Sequence, residues 1–382
     1  MMKGKLLSAA ALALALAGPL GPARADEAAA AKAPPPQRIV EVAICLDTSG
    51  SMEGLLDAAR RKLWAIVNDL ALAKPAPRFR VALLTFGNDG HPSEVGWVRL
   101  DSGLTEDLDL ISQQLFALTT NGGTELVGRV VDAATRQLSW NPASDALKLI
   151  FVAGNESADQ DREVSFRDAC KRAIEKGIIV NSIYCGSPGH GDAGAWQEVA
   201  RLADGQYMAI DQDNGTVAIA TPFDERIAAL SVSLNTTYVP IGVEGERKKE
   251  NQAVQDRNAA AASPSSASER GAAKAGKLYR CDWDLVDGVC RNGLKLEELK
   301  EEDLPEALRA MTLEERRAYV AEMDRKRSEI QKEIAAIQVK RQEFIALELA
   351  KQAGAGDQAF DKAIREALRK QAESKGFTFE EK

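Results

Sequence analysis

The sequence predicts an α/β fold: an open, mostly parallel, doubly wound sheet flanked by helices, followed by an α-helical C-terminal region. Two observations predict the sheet domain. Short apolar, β-branched runs alternate with longer segments of helical period between residues 39 and 235. Several of those runs, such as FRVALLTF at 79–86, are apolar almost throughout, as strands covered on both faces are. A third observation predicts the appended region: from residue 294 the chain turns rich in charged helix formers.

The chain has 382 residues and a formal charge of -8, which argues against nucleic acid as its main partner. Lys3 and Lys5, the apolar run 6–17 and the small-residue triplet Ala23-Arg24-Ala25 read as a signal peptide over 1–25. That run is too short for a good membrane span, so an exported chain without an integral span is expected, periplasmic or secreted. Residues 26–38, rich in Ala and Pro, read as a flexible lead-in.

The sheet domain is placed at 39–242. The stretch 39–52 begins as the first strand and ends in the turn 47–51, and 52–72 is a helix with a broad apolar face. Strands follow at 79–86 and 95–100, and helices at 107–118 and 126–138. Strand 146–153, helix 166–175, strand 178–184, helix 196–202, strand 205–210 and helix 221–234 continue the alternation. Residues 238–242 read as a further strand. Residues 243–276, with many Ala and Ser, read as a linker or long loop. A cysteine loop and a helical extension fill 277–382.

In that extension Thr312-Leu313-Glu314-Glu315 is a capping box. Met323, Ile330, Ile337 and Phe344 recur every seven residues with Ile334 between, a coiled-coil pattern that Arg327 and Arg341 interrupt. Self-association through these helices, a helical hairpin, and one helix lying on the main domain are all compatible with it. Five cysteines leave at least one unpaired; Cys281–Cys290 is the best local disulfide, Cys170–Cys185 a weaker one, and Cys45 reads as a buried thiol.

The chemistry gathers where strands end. Residues 39–52 read IVEVAICLDTSGSM, so Asp47, Ser49 and Ser51 follow a strand at alternate positions. Such spacing lets three oxygens converge on a hard divalent cation. Thr124, after Gly122-Gly123, is either a further ligand or the N-cap of the next helix. The strand 146–153 runs into Gly154, Asn155 and Glu156. Trp97, Trp140, Trp196 and Tyr207 read as packing residues, and His91 and His190 as exposed loop histidines.

Over 39–235 the sequence resembles the von Willebrand factor A domain family, on Asp47, Ser49, Ser51 and Thr124, which match its metal-ion-dependent adhesion site. The resemblance implies metal ligation by these four residues. It also implies a protein ligand that gives a carboxylate to an open coordination position. Gly154 stands where the family usually has an aspartate, so the site is expected to be weaker or rearranged, with Glu125, Asn155 or Glu156 as compensating candidates. Mg²⁺ suits the few protein oxygens best, ahead of Mn²⁺ or Ca²⁺. AGNE at 153–156, GIIVNSIYCG at 177–186, and Trp196 with Gly205-Gln206-Tyr207 look like an exported bacterial subgroup with a charged helical C-terminal part. The alternatives are an envelope scaffold with a vestigial metal site, and a hydrolase using Ser49 or Ser51. The second lacks a Gly-x-Ser-x-Gly elbow, and the chain is read as no enzyme.

Overall fold

Strand β1 (Ile39–Asp47) sits in the middle of a six-stranded sheet of order β3-β2-β1-β4-β5-β6. The computed structural model describes residues 38–209, 219–351 and 356–379; the expected signal peptide and all but the last residue of the lead-in lie outside them. The other strands are β2 (Arg78–Phe86), β3 (Val98–Thr105), β4 (Leu147–Gly154), β5 (Ile178–Tyr184) and β6 (Tyr207–Ala209). All neighbours pair in parallel except β2 and β3. Strand order therefore reverses between β1 and β4. At such a switch point the loops leaving two adjacent strands diverge and open a crevice at their carboxyl ends.

Helices cover both faces because the central strands are apolar at consecutive positions, which point to opposite sides of the sheet. Val40, Val42 and Leu46 of β1 face α1 (Glu53–Leu70) and α2 (Leu108–Ala117). Ala43 and Cys45 face α3 (Val127–Gln137), α4 (Phe166–Glu175) and α5 (Ala193–Leu202). An outer layer packs on α1 and α2: α6 (Asp224–Asn235), α7 (Gly242–Ala262) and α8 (Pro264–Ala275). Across it runs α11 (Leu313–Lys351), while α9 (Leu285–Arg291), α10 (Glu306–Arg309) and the start of α11 enclose a small core around Leu285, Leu304 and Val320. The last helix, α12 (Gly356–Ser374), returns to the sheet.

Four expectations need correction. Residues 243–276 are no loop but the α7–α8 hairpin, with Ser263 capping α8 ahead of Pro264. Its buried face is polar, which hid it from a search for apolar period. Ser112 donates to Gln255 Oε1 at 3.0 Å, Arg270 donates to Asp109 at 2.7 Å, and Lys274 donates to Asp256 at 2.8 Å. Each of these charges is matched within the cluster, which is what buried ions require.

The heptad stripe is spent inside the molecule. Met323 and Ile334 are buried in the protein's own cores, Ile330 and Ile337 pack against them, and Phe344 meets Phe223 edge-on. The two interrupting arginines are anchors. Arg327 donates to Asp284 and Asp287, both at 2.7 Å, and lies over the Tyr238 ring. Arg341 reaches Asp224 at 2.7 Å and also pairs with Glu269. The Thr312 capping box forms as expected, with reciprocal bonds between Thr312 and Glu315.

Neither expected disulfide is present, and all five cysteines are free thiols. Residues 238–242 contribute a single bridge, Pro240 to Asp284, in place of a strand. The C-terminal region packs onto the sheet domain, and the described residues from Arg38 onward belong to one compact unit. Leu368, Ala372 and Phe377 enter the sheet core, Gln371 and Asn181 exchange two amide hydrogen bonds, and Thr378 bridges to Lys74.

Candidate functional site

The site is built at the switch point from the loops after β1, β2 and β4 and the loop that leads into α3. The first loop is tied to the β2 end: the Thr48 amide donates to the Phe86 carbonyl at 2.8 Å. Asp47 Oδ1 accepts the Ser49 amide at 2.7 Å, an Asx turn that swings the two serines outward. Their hydroxyls lie 3.5 Å apart. Ser49 is buried and Ser51 exposed.

The loop before α3 is held against the first at close quarters. The Asn121 amide donates to the Thr48 carbonyl at 3.1 Å, and the Gly50 amide donates to Gly122. A Cβ at Gly123 would lie 2.4 Å from the Gly87 carbonyl oxygen, so backbone packs on backbone and only glycine fits. Half-buried Thr124 and buried Glu125 follow. Thr124 does not cap α3, whose N-cap position is Leu126.

The loop after β4 closes the cup. Asn155 Nδ2 donates to Ser51 Oγ at 2.9 Å. Trp196, fully packed on α5, donates its indole N–H to the Glu156 carbonyl at 2.7 Å. Glu156 itself is exposed and accepts from Gln160 at 3.0 Å.

The electrostatics are those of crowded carboxylates. Asp47 and Glu125 flank Gly87, whose absent Cβ would lie 2.7 Å from Asp47 Oδ1 and 2.9 Å from Glu125 Cγ. Burial pushes the Asp47 carboxyl up to about 6, with hydrogen bonds from Ser49 opposing it. Burial, and then the Asp47 charge, push Glu125 up to about 9. Asp47 Oδ2 and Asn155 Oδ1 are both buried without a hydrogen-bond partner. Orphaned acceptors of this kind are costly unless something positive sits against them. Hydroxyls plus carboxylate oxygens are the donor set a hard dication takes. Among the described residues no group of three or more His, Cys, Asp or Glu side chains is placed to hold a metal. The donors here are instead mostly hydroxyl and amide oxygens.

Three residues at the site escaped the sequence reading. Asn88 is buried and donates to the carbonyls of Thr48 at 3.2 Å and Thr119 at 3.0 Å, tying the β2 loop to both neighbours. Its signal was a polar residue just past an apolar strand. Gly87, at φ +74°, makes room for the two carboxylates, and Asp89 lies against Gly122. One expectation fails nearby: His91 is buried, and its Nε2 bonds Thr85 Oγ1 at 2.9 Å. His190 is exposed, as expected, and bonds Tyr184. Both histidines are engaged away from the two serines, and the Cys185 thiol is buried with its pKa pushed up by that burial.

Residues 41–218 match the family described as the von Willebrand factor type A domain, a non-catalytic family of adhesion and ligand-binding domains. No curated protein matches the chain. Among solved structures, a von Willebrand factor type A protein from Catenulispora acidiphila is 19% identical, over 46% of this chain and 40% of that one, with a TM-score of 0.36. Proximal thread matrix protein 1 from the mussel byssus, with a zinc-occupied MIDAS motif, is 14% identical over 47% and 43%, with a TM-score of 0.35. The pilus adhesin SpaC of Lactobacillus rhamnosus GG is 15% identical over 46% and 28%, with a TM-score of 0.34. The chain thus spans about two-fifths of the first of these structures.

Proposed function

From a chain whose residues 41–218 match the von Willebrand factor type A domain family, we propose a divalent-cation-assisted protein-binding module. One observation carries this reading. Loops from separate parts of the chain bring Asp47, Ser49, Ser51 and Asn155 together at the sheet's switch point, and two of their buried oxygens lack partners. Ser49, Ser51 and Thr124 would hold the ion, with Asp47 directly or through water, and Mg²⁺ suits so few protein oxygens. When bound, the ion would supply a Lewis-acid position for a carboxylate of a partner protein. The protein's own residues do the rest: the Asx turn aims the serines, Asn155 braces Ser51, and the glycine pair lets the Thr124 loop approach.

Among the described residues no helix is long and apolar enough to cross a membrane. The basic, then apolar N-terminal sequence supports export, and we place the module in the periplasm or outside the cell.

Calorimetric titration with Mg²⁺ or Mn²⁺ tests the reading. Ser49→Ala and Thr124→Ala should each weaken binding at least about tenfold with the fold intact. Heat-silent titrations up to millimolar cation would instead favour an envelope scaffold with a vestigial site. A pull-down from envelope extract, with and without chelator, then looks for a cation-dependent partner.

A further inference from the structure

Resting on the cation reading above, we infer that Glu125 supplies the carboxylate that Gly154 lacks, so the second acidic ligand has moved from the loop after β4 to the loop before α3. Two observations point there. The first is space. A Cβ on Gly154 would lie 3.0 Å from Asp47 Oδ2, 3.2 Å from Asp47 Cβ and 3.2 Å from the Trp196 ring. Position 154 is thus pressed between the Asp47 carboxylate and a fully buried indole, with little room for an acidic side chain.

The second is placement. Glu125 is only 5% exposed, although it follows a half-buried loop residue. Its chain runs past Gly87 alongside Asp47 Oδ1. Two carboxyl groups held this close leave a place for one positive group between them, a proton or a cation. Glutamate also has one methylene more than aspartate, which suits a ligand reaching in from a different loop. Glu156 is the competing candidate, but it is exposed and its carboxylate is engaged by Gln160.

The test is Mn²⁺ titration of the full chain, with free Mn²⁺ read by its electron paramagnetic resonance signal. Wild type, Asp47→Asn, Glu125→Gln and Glu156→Gln are compared, with circular dichroism to establish the fold. Glu125→Gln is expected to weaken Mn²⁺ binding about tenfold or more, and Glu156→Gln by less than about threefold. Without cation, Glu125→Gln should melt no lower than wild type, because the amide keeps the side chain's volume and can donate to Asp47 as a protonated carboxyl does. With Mn²⁺ it should lose the upward shift that wild type gains. If the amide variant does not fold, Glu125→Ala takes its place. Wild type that binds, lost in Asp47→Asn but kept within about twofold in Glu125→Gln, overturns this inference and leaves the functional reading standing. Equal losses in Glu125→Gln and Glu156→Gln also overturn it, as an effect of charge at a distance. No binding by wild type overturns the functional reading itself.

Discussion

A chain cut after residue 355 is expected to lose its folded sheet domain, although the cut falls some 150 residues beyond the last strand. Helix α12 covers the sheet directly. Leu368 and Phe377 are 0% and 1% exposed, and each contributes about 1.5–3 kcal/mol by burial. Asn181, fully buried on β5, would lose both bonds to Gln371, at a further cost of about 1–3 kcal/mol. Arg369 also leaves Asp69 behind. These losses approach the roughly 5–15 kcal/mol that holds a typical domain together. Urea unfolding followed by near-ultraviolet circular dichroism checks it. A truncated chain with the midpoint of the full chain would show that α12 is an appendage after all.

Arg327→Ala is expected to cost about 3–5 kcal/mol, far more than the loss of a surface arginine. The guanidinium is 1% exposed and sits between Asp284 and Asp287, with further bonds to Thr237. Removing it strands the fully buried Asp284 carboxylate, where water cannot replace it, while Asp287 keeps its pair with Arg291. Asp284 has structural duties of its own: it accepts the amides of Val239 at 2.6 Å and Asp287 at 2.8 Å. Adding Asp284→Asn should therefore recover only part of the loss, because it removes the stranded charge while its amide oxygen can accept only one of those two bonds. The check is a denaturation series on the wild type and both variants. A single variant within 1 kcal/mol of wild type, the scale of an exposed pair, would refute the buried-anchor account.

The helical C-terminal part was legible in composition but not in its attachment. Arg327 and Arg341 look like faults in an apolar stripe, because a heptad reading scores charge as solvent-facing. In the fold they are the points where α11 is fastened, each meeting carboxylates far away in the chain. The α7–α8 hairpin was missed for the same reason. Its buried side carries Gln252, Gln255, Arg270 and Lys274, and polar burial has no sequence period to detect.

At the site, Asp47, Ser49 and Ser51 could be read locally, since a strand and a turn fix their spacing. Asn88, Gly87 and Asp89 could not, because each acts through a partner from another loop.

By itself the sequence determined the α/β alternation, the strand that begins at 39, those at 79–86 and 146–153, and the oxygen-bearing turn after the first of them. These depend on hydrophobic period and turn chemistry, which neighbours in the chain carry. Only the tertiary structure decided that the last helix closes the sheet, that buried ions fasten the outer layer, and that Glu125 lies beside Asp47. Those outcomes depend on which distant charges and surfaces meet, and on the space left between them, neither of which is written in any local stretch.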